Sequence, residues 1–235
     1  MSEQMSISVN FGRPMPLFPL DTVRLLPQQV LPIHIFEPRY RKMVDDALDG
    51  SGQFAMAVFE GDQWKREYHG SPAIRPHVCI AQIAQHEKLT DGRYNLLVQG
   101  VCRARVVREL PPDDEVPYRR AVLEPVGTDD RTGEELGDTR ERLRSMLSEG
   151  PLTHLSAASQ IATLARDDEL PTAALLELVS FTMVTDEESR YRLLAEPRAD
   201  RRAALVEREL AHLESLLRRA ELQRPDLWPK GMSWN

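Results

Sequence analysis

A chain of 235 residues can bury a sizeable core as one or two domains. Its net charge of −7, with both signs mixed along the chain, makes it a poor non-specific binder of nucleic acid, which needs a basic face to neutralise phosphates. Its hydrophobic content of 41% is ordinary for a globular protein, and no stretch approaches the roughly 18–20 apolar residues of a membrane span. Met1 to Met5 carry neither a basic start nor an apolar run, so no signal peptide is expected and the cytoplasm is the default location.

Pro16-Leu17-Phe18-Pro19-Leu20 and Leu31 to Phe36 are short apolar runs interrupted by proline, which reads as two strands. Pro19, Pro27 and Pro32 belong at strand ends, edges or bends, because proline cannot donate to a ladder. Pro38 suits a first helical position. Tyr40, Met43, Val44, Ala47 and Leu48 then recur at helical spacing, so a helix is expected from about Pro38 to Asp49. Phe54 to Phe59 and Val78 to Ala84 read as further strands. Thr90-Asp91-Gly92-Arg93 reads as a hairpin turn, and Tyr94 onward as a strand apolar on both faces, central in a closed or folded-over sheet. Tyr118 to Val126 is the last of about six short strands, which with one helix suggest a small barrel or sandwich.

From about Gly127 to Asp138 the chain is polar and turn-rich, as a linker is. The period then changes to that of helices. Leu143, Met146 and Leu147 mark one; Leu155 to Leu164 another; Leu175, Leu176, Val179 and Met183 a third. Thr185-Asp186-Glu187-Glu188 has the form of a capping box with Thr185 as the cap, opening a helix that holds Tyr191, Leu193 and Leu194. A long last helix runs through Leu205, Leu213, Leu216 and Leu217. The tail from Trp228 to Trp234 holds two of the three tryptophans and is expected to dock.

The segment from Pro16 to Leu20, followed by Leu31-Pro32-Ile33-His34-Ile35-Phe36-Glu37-Pro38-Arg39-Tyr40-Arg41, resembles the N-terminal domain of the Lon family of ATP-dependent proteases. Asp91 to Tyr94 with Gly100-Val101-Cys102-Arg103-Ala104-Arg105 is similar to a second motif of that domain. Pro117 to Ala121 is similar to a third, in the family's order. The likeness covers roughly residues 14 to 196. Arg75 to Cys79 depart from it, standing where many members have a glycine-rich turn. The resemblance implies an α+β fold: a small, mainly antiparallel PUA-like β-barrel with one helix over 14–126, a helical bundle over 138–224, and a tail over 225–235.

Catalytic devices are missing from the sequence. There is no G-x-x-x-x-G-K-[ST] phosphate loop, and the four lysines, Lys42, Lys65, Lys88 and Lys230, lack the apolar surroundings of a lysine base. The resemblance therefore implies a stand-alone, non-catalytic member without the ATPase and protease parts, and no cofactor is expected. The histidines and cysteines form no spaced ligand set; His77 beside Cys79 is the nearest approach, and no metal is expected. Cys79 and Cys102 read as buried thiols in strands. Asp45-Asp46 and Asp167-Asp168-Glu169 are adjacent carboxylates, read as solvated charge rather than an opposed catalytic pair.

The expected function is recognition of polypeptide, unfolded or signal-bearing, in a groove between barrel and helices. Candidate contacts are Phe36, Arg39 and Tyr40 at the strand-to-helix junction, and Arg103 and Arg105 as a small basic strip on one strand. In that role the aromatics anchor a peptide and the arginines pair its carboxylates; the alternative is that Phe36 and Tyr40 are core and the arginines pair locally. Rival readings are a PUA-like RNA-binding protein, a scaffold for one partner, and an unrecognised hydrolase. The oligomeric state is not legible.

Overall fold

The computed structural model describes residues 7–67, 70–127 and 136–222. The chain is a mixed α+β protein with a six-stranded sheet and, among the described residues, seven α-helices. It divides into two units. The first takes residues up to 130 together with 186–198; the second takes 131–185 and 199 onward.

In the first unit the strands are β1 (Met15–Leu20), β2 (Val30–Ile35), β3 (Gln53–Val58), β4 (His77–Lys88), β5 (Tyr94–Leu110) and β6 (Arg120–Val126). Their order is β2-β5-β4-β3-β1-β6, and β6 pairs again with β5, so β5, β4, β3, β1 and β6 hydrogen-bond in a closed ring. Only β1 and β3 are parallel; the other pairs are antiparallel. The prolines obey their chemistry. Pro32 lies on β2, whose sole neighbour is β5, and Pro19 lies beyond the short stretch where β6 pairs with β1 at Met15 and Pro16.

Strand β5 is not short, as the periodicity suggested, but 17 residues long. One of its edges carries β4. The other carries β2 along Tyr94–Gln99 and then β6 along Arg103–Leu110. Gly100 sits at the changeover, where the loop before β2 crosses the strand: Gln28 N–H donates to Gly100 O (2.7 Å) and Gly100 N–H to Gln29 O (2.8 Å). Gln28 takes a φ of 66°, the one non-glycine positive φ among the described residues. At the other end, Gly92 (φ 82°) closes the β4–β5 hairpin, as the Asp-Gly pair predicts.

The ring is filled by small side chains. Ala55, Ala57, Ala104 and Ala121 pack with Leu17, Val78 and Ile80, because a ring of five strands leaves little room inside. The outer face of β1 and β3 presents Phe18 and Phe54 to helix α1 (Pro38–Leu48), whose Tyr40 meets Phe18 edge-on at 4.8 Å. Tyr40, Met43, Val44 and Ala47 are all buried. At about 1.5–3 kcal/mol for each large side chain, this stripe holds the helix far more firmly than its uncapped Glu37 could. A second helix, α2 (Trp64–Glu67), forms within the loop after β3, where the sequence signalled only loop.

In the second unit, helices α3 (Thr139–Ser148), α4 (Ser156–Leu164), α5 (Thr172–Met183) and α7 (Ala199–Leu222) bury Leu143, Leu147, Ile161, Leu175, Leu176, Val179, Val206 and Leu210. Arg202 and Glu177 form a buried pair at 3.5 Å. Arg140 donates to the carbonyls of Ala165 and Asp167, tying α3 to the turn before α5. Residues 128–135 of the linker expected from about Gly127 to Asp138, and the tail over 225–235, lie outside the described residues.

Helix α6 (Glu187–Ala195) interrupts this series, because it groups with the sheet. Its cap also differs from expectation. Asp186, not Thr185, is the N-cap and accepts from Ser189 N–H at 2.8 Å. The box fails because Glu188 turns away to bind Arg75.

Candidate functional site

Because β1 and β3 run parallel, they end side by side, and the loops that follow them emerge at one edge of the sheet. Phe59 N–H donates to Leu20 O (2.9 Å), Glu60 N–H to Ala73 O and Arg75 N–H to Val58 O (both 2.8 Å), which staples the two loops. Helix α6 lies across this edge. Between them is a cleft of ≈ 610 Å³, lined by Asp21–Val23, Val58–Asp62, Trp64, Lys65, Arg75, Glu187, Glu188 and Tyr191.

Three arginines hold α6 in place. Arg75 reaches Glu188 with both terminal nitrogens (2.8 and 3.2 Å) and lies over Tyr191, its guanidinium carbon 3.3 Å from the ring centroid. Arg103 donates from Nε to Leu193 O (2.9 Å), and Arg190 from Nε to Val23 O (3.1 Å). His77 N–H donates to the Tyr191 hydroxyl at 3.0 Å. The cleft is thereby built before any ligand arrives, which lowers the ordering cost of binding.

Its electrostatics follow from these contacts. The hydrogen bonds from Arg75 hold the Glu188 carboxyl below its ordinary range. Burial pushes the Tyr191 hydroxyl up. Burial, then the charges of Arg105 and Arg75, push His77 down, so its imidazole is neutral at pH 7. On the opposite side Trp64 stacks on Phe59 (5.3 Å, 10°), and Lys65 pairs with Asp62 at 2.8 Å. The cleft thus combines an aromatic stack, an arginine–tyrosine stack and more carboxylates (Asp21, Glu60, Asp62, Glu187, Glu188) than cations (Lys65, Arg75). Such a surface can bind; among the described residues it holds no nucleophile with an adjacent base.

The family model of the ATP-dependent protease La (LON) substrate-binding domain matches residues 14–212. The chain belongs to this family. Among curated relatives, it is 22% identical to the Lon protease of Desulfosudis oleivorans over 205 residues, 86% of this chain and 24% of that protein. It is 33% identical to the Lon protease of Trichlorobacter lovleyi over 141 residues, 58% of this chain and 17% of that protein. The chain therefore spans a quarter or less of the length of these Lon proteases. Two solved structures share the fold. The Lon N-terminal domain protein from Xanthomonas campestris has a TM-score of 0.55 at 23% identity, covering 88% of this chain and 98% of that one. The N-terminal domain of the Mycobacterium avium complex Lon protease has a TM-score of 0.60 at 18% identity, covering 85% and 98%.

Within this Lon domain the five residues singled out from sequence fall into two groups. Phe36 is 61% exposed at the end of edge strand β2, stacked with His34 at 6.4 Å. Arg39 is half-buried, pairs with Glu37 and lies over the Tyr40 ring; Tyr40 itself is buried against Phe18. Arg103 is buried under α6, so it presents no basic strip, and Arg105 is exposed but paired with Glu124 at 2.6 Å. Phe36 follows the Ile35–Tyr94 pair, and Arg103 lies nine residues on from Tyr94, about 30 Å along β5. The structure does not bring the two groups together, and none of the five lines the cleft.

The Asp45-Asp46 pair is structural. Asp45 accepts from Lys88 (2.8 Å) and the Tyr94 hydroxyl, which pins α1 to the sheet, and Asp46 accepts from Lys42 of the same helix and from the Tyr118 hydroxyl. Burial alone would raise the Asp45 carboxyl, but these bonds from Lys88 and Tyr94 outweigh it and hold it low. Cys79 and Cys102 are free thiols, and burial pushes Cys102 up to about 11, which makes it a poor nucleophile. No group of three or more metal-binding side chains occurs among the described residues. Nor is any described helix long and apolar enough to cross a membrane.

Sequence reasoning missed Phe59, Trp64, Arg75 and Tyr191. The available signal was Trp64 itself, a lone tryptophan in the polar run Glu60-Gly61-Asp62-Gln63-Trp64-Lys65, which the fold packs half-buried against Phe59 at the rim of the core.

Proposed function

We propose that this Lon-type domain is a non-catalytic module that recognises polypeptide, taking unfolded or signal-bearing segments in extended form. We read its closed ring of strands as a PUA-like barrel, and the bacterial source of both Lon relatives supports a bacterial, cytoplasmic setting. The observation that carries the reading is the preformed cleft, walled by the Phe59–Trp64 stack and the Arg75–Tyr191 stack. Aromatic and arginine side chains in a rigid concavity are the usual anchors of binding energy. The RNA-binding alternative fits less well, because the cleft's carboxylates repel phosphate.

The test is a titration of a labelled, permanently unfolded reporter protein, reduced and alkylated, followed by fluorescence anisotropy. Saturable micromolar binding is expected. Trp64→Ala is expected to weaken it about tenfold, with an unchanged circular dichroism spectrum because Trp64 is only half-buried. Absence of saturable binding to the intact chain contradicts the proposal.

A further inference from the structure

We infer that the cleft prefers cationic segments, those bearing arginine or lysine among apolar residues; the inference rests on the polypeptide-binding reading above. Both cations of the cleft are already committed within it, Lys65 to Asp62 and Arg75 to Glu188. Of the other three lining carboxylates Asp21 pairs with Arg24, which leaves two. Glu60, on the loop after β3, and Glu187, the first residue of α6, are exposed and have no partner among the described residues. They come from different elements, so the cleft itself, and not one acidic run, sets their position. Beside them the half-buried Trp64, backed by the buried Phe59, offers its ring, over which Lys65 Nζ already lies at 5.8 Å from the centroid, as a surface that favours cations. A segment carrying a cation satisfies the unpaired carboxylates, whereas an acidic segment meets like charge, and the discrimination lies in that difference.

The experiment uses the full chain and three labelled, unstructured peptides of equal length, in which leucine alternates with arginine, glutamine or glutamate. Anisotropy at low salt is expected to show the arginine peptide binding roughly tenfold tighter than the glutamate peptide, with glutamine between. The gap should narrow as salt rises. The double variant Glu60→Gln, Glu187→Gln is expected to bind all three peptides alike. Equal binding of the three peptides to the unaltered protein, or tightest binding of the glutamate peptide, overturns the inference and leaves the polypeptide-binding reading standing. Failure of all three to bind overturns that reading, and the preference with it.

Discussion

Gly100→Ala is expected to destabilise the sheet unit by about 3 kcal/mol or more, although it adds a single methyl group. A Cβ at this position would stand 2.1 Å from Leu26 O, 2.8 Å from Leu26 C and 3.1 Å from Pro27 Cα. All three are backbone atoms, so no side-chain rotation relieves the clash. The loop cannot simply lift away either, since Gln28 and Gln29 hydrogen-bond to Gly100 on both its N–H and its carbonyl. Relief requires breaking those bonds or splitting β5 where it changes partner from β2 to β6. Urea unfolding followed by far-ultraviolet circular dichroism should show the midpoint lowered by about 1 M or more. An unchanged midpoint would mean that the loop does not lie on the strand as described.

Arg103→Ala is expected to cost about 2–3 kcal/mol, whereas Arg105→Ala stays within about 0.5 kcal/mol. The two arginines sit two residues apart on one face of β5, yet their surroundings differ. Arg103 is 6% exposed and donates to the Leu193 carbonyl of α6, so truncation strands a carbonyl and opens a void. Arg105 and Glu124 have side chains 48% and 46% exposed, where an ion pair contributes little. The same Arg103 variant should also weaken reporter binding, because α6 supplies Tyr191 and Glu188 to the cleft. Equal stability losses for the two variants would contradict the placement of Arg103 beneath α6.

What could be read from sequence was what local chemistry decides. Pro19, Pro32 and Pro38 mark a strand stretch paired on one side only, an edge strand and a helix start by what proline lacks. Asp91-Gly92 marks a turn because glycine takes the positive φ. Tyr40, Met43, Val44 and Ala47 repeat at helical spacing because one face is buried. Gly100 was visible as a motif letter, but its reason, the crossing loop at Leu26, is a contact across more than 70 positions that no local pattern encodes. Arg103 and Arg105 have the same chemistry and spacing, so only the path of α6 distinguishes them. That path was equally hidden, because α6 shares its helical period with helices of the other unit. Tyr191 was read as part of a helix with Leu193 and Leu194, and nothing local announced Arg75 as its partner.

The most direct test of the cleft as the polypeptide site is amide hydrogen exchange on the intact chain, with and without saturating unfolded reporter. The account predicts added protection over 58–65 and 186–191, with no change over 30–41. Protection confined to 30–41, around the exposed Phe36, with 58–65 and 186–191 unaffected, would contradict it and move the binding surface to the edge of β2.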